Sequence, residues 1–259
     1  MDRTWRPGER IRRRRTADEV GHGPALLAWA CAAWLVSCHA AWAQPQNIAW
    51  PDVPWPKGAK VYWVAPDIVH NTIPMRIAAF DARESPEATR RFYEAWFSDK
   101  PNASVTSVQG SEVLGGRVGD FHVSVELRRA PSDPGTAGRI TTALVYNADA
   151  PTGPERIERM GRGFPRPPGS DVLSDTVSYD AERRNRTLTI RNGMSVETNA
   201  LYLREQLILQ GWTLIQDKTV RGGLHSSLIF RKTGEELVVN IGMRDGECYL
   251  VTSQTTQGG

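Results

Sequence analysis

The chain has 259 residues, 40% hydrophobic and 24% charged, with three cysteines; this composition fits a globular protein of one large or two small domains and excludes a disordered or disulfide-built one. Its net charge of +3 is concentrated at the start, where residues 1–43 carry seven of the 32 basic and four of the 29 acidic residues, leaving 25 of each beyond. A balanced remainder lacks the basic footprint needed to neutralise phosphates, so no nucleic-acid partner is expected.

Residues 1–43 read as a signal peptide. Arg12, Arg13, Arg14 and Arg15 form a basic cluster, an apolar run extends from Ala25 to Val36, and Ala41-Trp42-Ala43 precedes Gln44. A basic region, a short apolar core and an A-x-A-like site are the parts of a secretory leader. The apolar run, about 12 residues, is shorter than the ~20 that a helix needs to cross hydrocarbon. Processing between Ala43 and Gln44 is one expectation. Leu35-Val36-Ser37-Cys38 offers another, because it resembles a lipobox whose cysteine is lipidated and becomes the first residue. The expected destination is the periplasm or the outer membrane, with membrane attachment only if Cys38 carries lipid. A chain cut after Ala43 keeps one cysteine, Cys248, which cannot close an internal disulfide.

Beyond the leader, Trp50-Pro51-Asp52-Val53-Pro54-Trp55-Pro56, followed by Trp63, gathers three of the five tryptophans after residue 43. Proline favours an extended segment whose backbone groups stay free for partners, and tryptophan supplies a large anchor. Trp50, Trp55 and Trp63 are therefore the candidate partner-binding residues. The simpler alternative is that the rings pack on the domain that follows and tether its start.

The same region opens an internal repeat. Val53-Pro54-Trp55-Pro56-Lys57-Gly58-Ala59-Lys60-Val61 recurs as Phe164-Pro165-Arg166-Pro167-Pro168-Gly169-Ser170-Asp171-Val172, 111 residues later. Ser85-Pro86-Glu87 recurs as Ser195-Val196-Glu197 after 110, and Phe121, Val123, Val125 and Leu127 as Leu237, Val239, Ile241 and Met243 after 116. In the first copy the spacing predicts a helix from Ser85, with Pro86 where no amide donor is needed. Tyr93 and Phe97 match Leu203 and Leu207, but Arg90 falls where Ala200 predicts a core position, which calls for a rotated helix or a gap. Residues 148–163 are rich in Pro, Gly and charge and read as a linker. In the second copy, Thr176–Tyr179 and Arg186–Ile190 read as strands around a polar turn at 180–185. A helix follows, capped by Ser195 and ended by Gly211. Trp212–Ile215, Leu224–Arg231, Glu236–Met243 and Cys248–Thr252 read as antiparallel strands, with Asp245-Gly246 as a tight turn. The expected fold class is α+β: two tandem diverged repeats, residues 51–147 and 164–256, each β-β-α-β-β-β with one helix on a face of an antiparallel sheet.

No motif specifies a reaction. His70, His122 and His225 show no metal-ligand spacing, and no metal site or cofactor is expected. There is no G-x-S-x-G elbow, and His225 and Ser226, adjacent in a strand, point to opposite faces. Gly115-Gly116 and Gly222-Gly223 lack the surrounding residues of a phosphate loop. Glu235-Glu236 reads as a solvated strand start, and Cys248 as ordinary core in a strand. The function expected from these residues is a non-catalytic binding or assembly module for an envelope protein or polymer. The alternative is a hydrolase acting on an envelope substrate, its site assembled between the two repeats. Intact-mass measurement of the protein from its native host is expected to give a chain beginning at Gln44, or at a lipidated Cys38; an unprocessed chain in the cytoplasm would contradict the export reading.

Overall fold

The computed structural model describes residues 48–257 apart from 109, 131–134, 148–150, 181 and 221. Cys38, Ala43 and Gln44, on which the expected leader and its processing turn, lie outside the described residues. Among those described, twelve strands form one antiparallel sheet accompanied by three helices, a mostly-sheet α+β fold. In chain order these are β1 (Lys60–His70), β2 (Ile73–Ala82), α1 (Pro86–Phe97), β3 (Ser104–Val108), β4 (Ser111–Val118), β5 (Phe121–Arg129) and β6 (Thr136–Leu144), then α2 (Gly153–Arg159). There follow β7 (Asp171–Asp180), β8 (Arg183–Asn192), α3 (Val196–Leu209), β9 (Thr213–Thr219), β10 (His225–Lys232), β11 (Glu235–Arg244) and β12 (Glu247–Gln257).

Across the sheet the strands run β3-β4-β5-β6-β2-β1-β7-β8-β12-β11-β10-β9. Counted outward from the central β1–β7 pair, each side presents its first, second, sixth, fifth, fourth and third strand. Four strands follow each long helix, matching the four read after Gly211 in the second copy and one more than the β-β-α-β-β-β unit assigned to both. The outermost pair, β3 and β9, are edge strands whose residues are almost all exposed. Without a buried face β3 lacks the alternation that marks a strand in sequence, whereas β9 begins inside the strand read at Trp212–Ile215.

Local signals set the helices. Ser85 and Ser195 both sit in extended backbone, and their hydroxyls accept from the amides of Ala88 and Thr198, satisfying donors that the first turn leaves unpaired. Gly211, with φ of +84°, follows the last turn of α3, a conformation that a side chain would oppose. The buried stripe of α1 runs through Thr89, Tyr93 and Phe97. Arg90 therefore stands beside the stripe and pairs with Glu94 and Glu112, so α1 is turned slightly relative to α3 and no gap is needed. Thr89 is wholly buried; its hydroxyl donates to Thr136, which donates to the Glu84 carbonyl. On α3, Asn199 makes a reciprocal amide pair with Asn192 at the end of β8.

Two apolar clusters result. One joins Tyr93 and Phe97 of α1 to Phe80, Leu114, Val123, Val125, Leu127 and Ile140, with Val53 from the N-terminal segment. The other joins Val196, Ala200, Leu203 and Leu207 of α3 to Leu188, Ile190, Leu228, Phe230, Leu237, Val239, Ile241 and Leu250, with Trp212. Phe80 fills the first so tightly that a Cβ at Gly138, on the neighbouring strand, would meet its ring at 2.1 Å. The second hairpin turns more sharply than the sequence implies. β8 begins at Arg183, because Arg184 and Asn185, read as turn residues, pair with Thr256 and Thr255 of β12.

The two sides of the sheet meet over three residue pairs, Ile68 with Ser178, Val69 with Val177 and His70 with Thr176. So short a ladder is reinforced by a polar node. The Asp175 carboxylate accepts from Nε and Nη2 of Arg186 at 2.9 and 2.7 Å and from the Gly161 amide at 2.9 Å. Nη1 of Arg186 donates to the Arg162 carbonyl at 3.0 Å, and the Asp175 backbone exchanges hydrogen bonds with Asn71 in the β1–β2 turn. Arg186 is only 5% exposed, so an Asp175→Ala change strands a buried cation. The expected cost is about 3–5 kcal/mol in denaturant unfolding, and Asp175→Leu with Arg186→Leu is expected to recover much of it. A single mutant within about 0.5 kcal/mol of the parent would contradict this role.

Candidate functional site

Proline-rich sequence makes residues 48–59 an irregular strap rather than a strand, because the pyrrolidine nitrogens donate nothing to a ladder. The strap is held from below. The Tyr93 hydroxyl of α1 donates to the Pro54 carbonyl at 3.0 Å. Burial pushes the Tyr93 phenol well above its ordinary range, which keeps that proton in place. Val53 is buried, the Trp55 ring meets Phe80 edge-on at 6.1 Å, and Trp50 lies 5.3 Å from Phe121.

Trp50, Trp55 and Trp63 come together on one cavity of about 270 Å³, whose lining includes Asp52, Arg76, Ala78, Ile140 and Thr142. Trp50 and Trp55 pack against the first half, as the simpler alternative from sequence expects, and they also line the cavity. Trp63 differs. It sits in β1 opposite Ala78 and is 54% exposed.

The residue that sequence reasoning missed is Arg76. It belongs to β2, in the alternating series Arg76, Ala78, Phe80, Ala82 whose last three members are buried. An arginine continuing the apolar phase of a strand was the available signal. Its Cζ lies 4.6 Å from the Trp50 ring centroid and 5.7 Å from that of Trp63, within the range of cation–π attraction. Burial draws its pKa down, and the charge of Asp67 opposes that shift; a guanidinium nevertheless stays charged. Its Nε is buried with no hydrogen-bond partner among the described residues. Asp52 lines the same cavity without forming an ion pair with it.

The other candidates lie elsewhere. Cys248 is fully buried in the second cluster, and desolvation raises its pKa, the opposite of what a nucleophilic thiolate needs. Glu235 accepts from Gln254 and Glu236 pairs with Arg231, so the two carboxylates do not act on one point. Ser226 is buried and bonded to Thr219, while His225 is exposed. His70 contacts Thr176 across the central pair. Among the described residues no three His, Cys, Asp or Glu side chains converge where an ion would bind.

Comparisons of the chain with protein-family models, with curated proteins and with solved structures find no match.

Proposed function

We propose that this chain is an exported bacterial envelope protein, residing in the periplasm or at the outer membrane, that works as a non-catalytic binding or assembly module. Its contact with an envelope protein or polymer is made at the tryptophan-lined cavity. The observation that carries this reading is a half-exposed indole, Trp63, beside a cationic side chain whose buried Nε has no partner. Aromatic and arginine side chains grouped around a depression are the usual anchors of recognition, since they offer large contact area and directed donors at small entropic cost. The hydrolase alternative needs an acid and a base flanking one bond, and the cavity lining supplies one carboxylate, Asp52.

The proposal includes an origin by duplication of one α+β unit, each copy a sheet with one helix across it. What supports it is the identical outward strand order on the two sides, the paired serine caps, and the burial of a polar residue, Thr89 or Asn199, one position beyond the first turn of each helix. In this reading the linker, residues 148–163, contains α2.

The test is co-sedimentation of the purified mature protein with the isolated envelope of its host. Trp63→Ala is expected to weaken binding about tenfold or more, the scale of an interface anchor, with an unchanged melting temperature because its ring is largely outside the core. Trp212→Ala, in the second cluster, is expected to destabilise the fold. Full envelope binding by a folded Trp63→Ala protein would refute the proposed contact.

A further inference from the structure

Two arginines occupy the same register in the sheet and face different neighbours. Arg76 stands two residues before Ala78, which pairs with Trp63 across β1–β2; Arg186 stands two before Leu188, which pairs with Asp175 across β7–β8. Residues two apart on a strand share a face, so each arginine lies diagonally opposite the cross-strand residue. That residue is an indole in one case and a carboxylate in the other. The chain just upstream differs in the same sense. Gly161, three residues before Phe164, donates its amide to the Asp175 carboxylate. Trp50, three residues before Val53, lies with its ring against Arg76. Around Arg186 every direction is thus closed by the protein itself: a bidentate carboxylate, a backbone carbonyl and a backbone amide completing the carboxylate's shell. Around Arg76 the corresponding positions are taken by the Trp63 and Trp50 rings, and all three side chains line a cavity of about 270 Å³.

We infer that the cavity is a receptor for a carboxylate-bearing sugar ring, with the ligand carboxylate accepting from the Arg76 guanidinium. This rests on the reading of the cavity as a binding site and specifies its ligand. A guanidinium presents donors in a fixed fork matched to a carboxylate, and Arg76 lines the cavity with no carboxylate in an ion pair with it among the described residues. The walls select the rest of the molecule. Three indoles line the space, and their electron-rich faces attract the weakly positive C–H groups of a saccharide ring. Asp52 at the same cavity is an acceptor only: it takes hydroxyl protons and repels a second anion. One carboxylate, several hydroxyls and an apolar ring face satisfy all three demands. The volume, just under the usual range for drug-sized ligands, suits a single ring of a longer polymer.

The experiment titrates the folded mature protein with D-glucuronate, D-glucose, acetate and N-acetylalanine, following the indole N–H signals of Trp50 and Trp63 and the Nε–H signal of Arg76 by NMR. Glucuronate is expected to shift all three saturably and to bind about tenfold or more tightly than each of the other probes. Arg76→Gln is expected to abolish the preference for glucuronate over glucose while the melting temperature stays near that of the parent. Trp63→Asp, which places a carboxylate where the second half has Asp175, is expected to shift the Arg76 signal in the free protein and to remove the response to glucuronate. Equal binding of acetate or N-acetylalanine overturns the sugar class, and no response to glucuronate overturns the site's ligand altogether. The Trp63-dependence of envelope co-sedimentation then separates the two failures: if it persists, the binding surface stands with a different ligand, and if it is absent, the surface falls as well.

Discussion

A buried carboxylate at the middle of the sheet organises this molecule. Asp175 and Arg186 are both nearly inaccessible, and an ion pair there is tolerable only because the remaining donors and acceptors are also met. Those additional bonds run to Gly161 and Arg162 in the segment after α2, and the Asp175 backbone separately bonds Asn71 in the β1–β2 turn. The carboxylate and backbone of Asp175, with its partner Arg186, therefore tie the connection, the first strand of the second half and a turn of the first half together. The ladder between β1 and β7 spans only three residue pairs, so the continuity of twelve strands depends on polar contacts more than on sheet hydrogen bonds at that point.

The same constraint explains how the two halves can differ while keeping one strand order. The arginine of β8 is enclosed by the Asp175 carboxylate and the Arg162 carbonyl. Where the arginine of β2 faces indoles, the sheet carries a cavity roofed by the proline-tryptophan strap. Tyr93 links that cavity to the first core, since the helix residue that fills the core also holds the strap through Pro54. Packing and the shape of the cavity are consequently coupled in the first half: the strap is positioned by burial of Val53 and Trp55, and what it positions is Trp50 over Arg76.

Features written in a few consecutive residues were legible in sequence. Ser85 and Ser195 cap helices because the capping bond spans three residues, and Asp245-Gly246 turns because both adopt positive φ. Features set by pairing between distant strands were not. Arg184 and Asn185 look like a polar turn until β12 claims their backbone, and the edge strand β3 buries too little to leave an alternating pattern. The tryptophans of the strap were noticeable from composition, but Arg76 joins them only through the register of β1 on β2, which includes two irregularities between Trp63 and Ile68. No local rule predicts such bulges, and they decide which side chains share a face.

The contrast between the two arginines is most directly measured by low-temperature NMR of the arginine Nη groups in the free mature protein. A guanidinium held by a bidentate carboxylate rotates slowly about its Cζ–Nε bond and gives separate Nη signals, whereas one without fixed acceptors gives an averaged signal. The expected result is resolved Nη signals for Arg186 and an averaged signal for Arg76. Separate, equally slow Nη signals from Arg76 in the free protein would mean that its donors are already satisfied, and would contradict an open site.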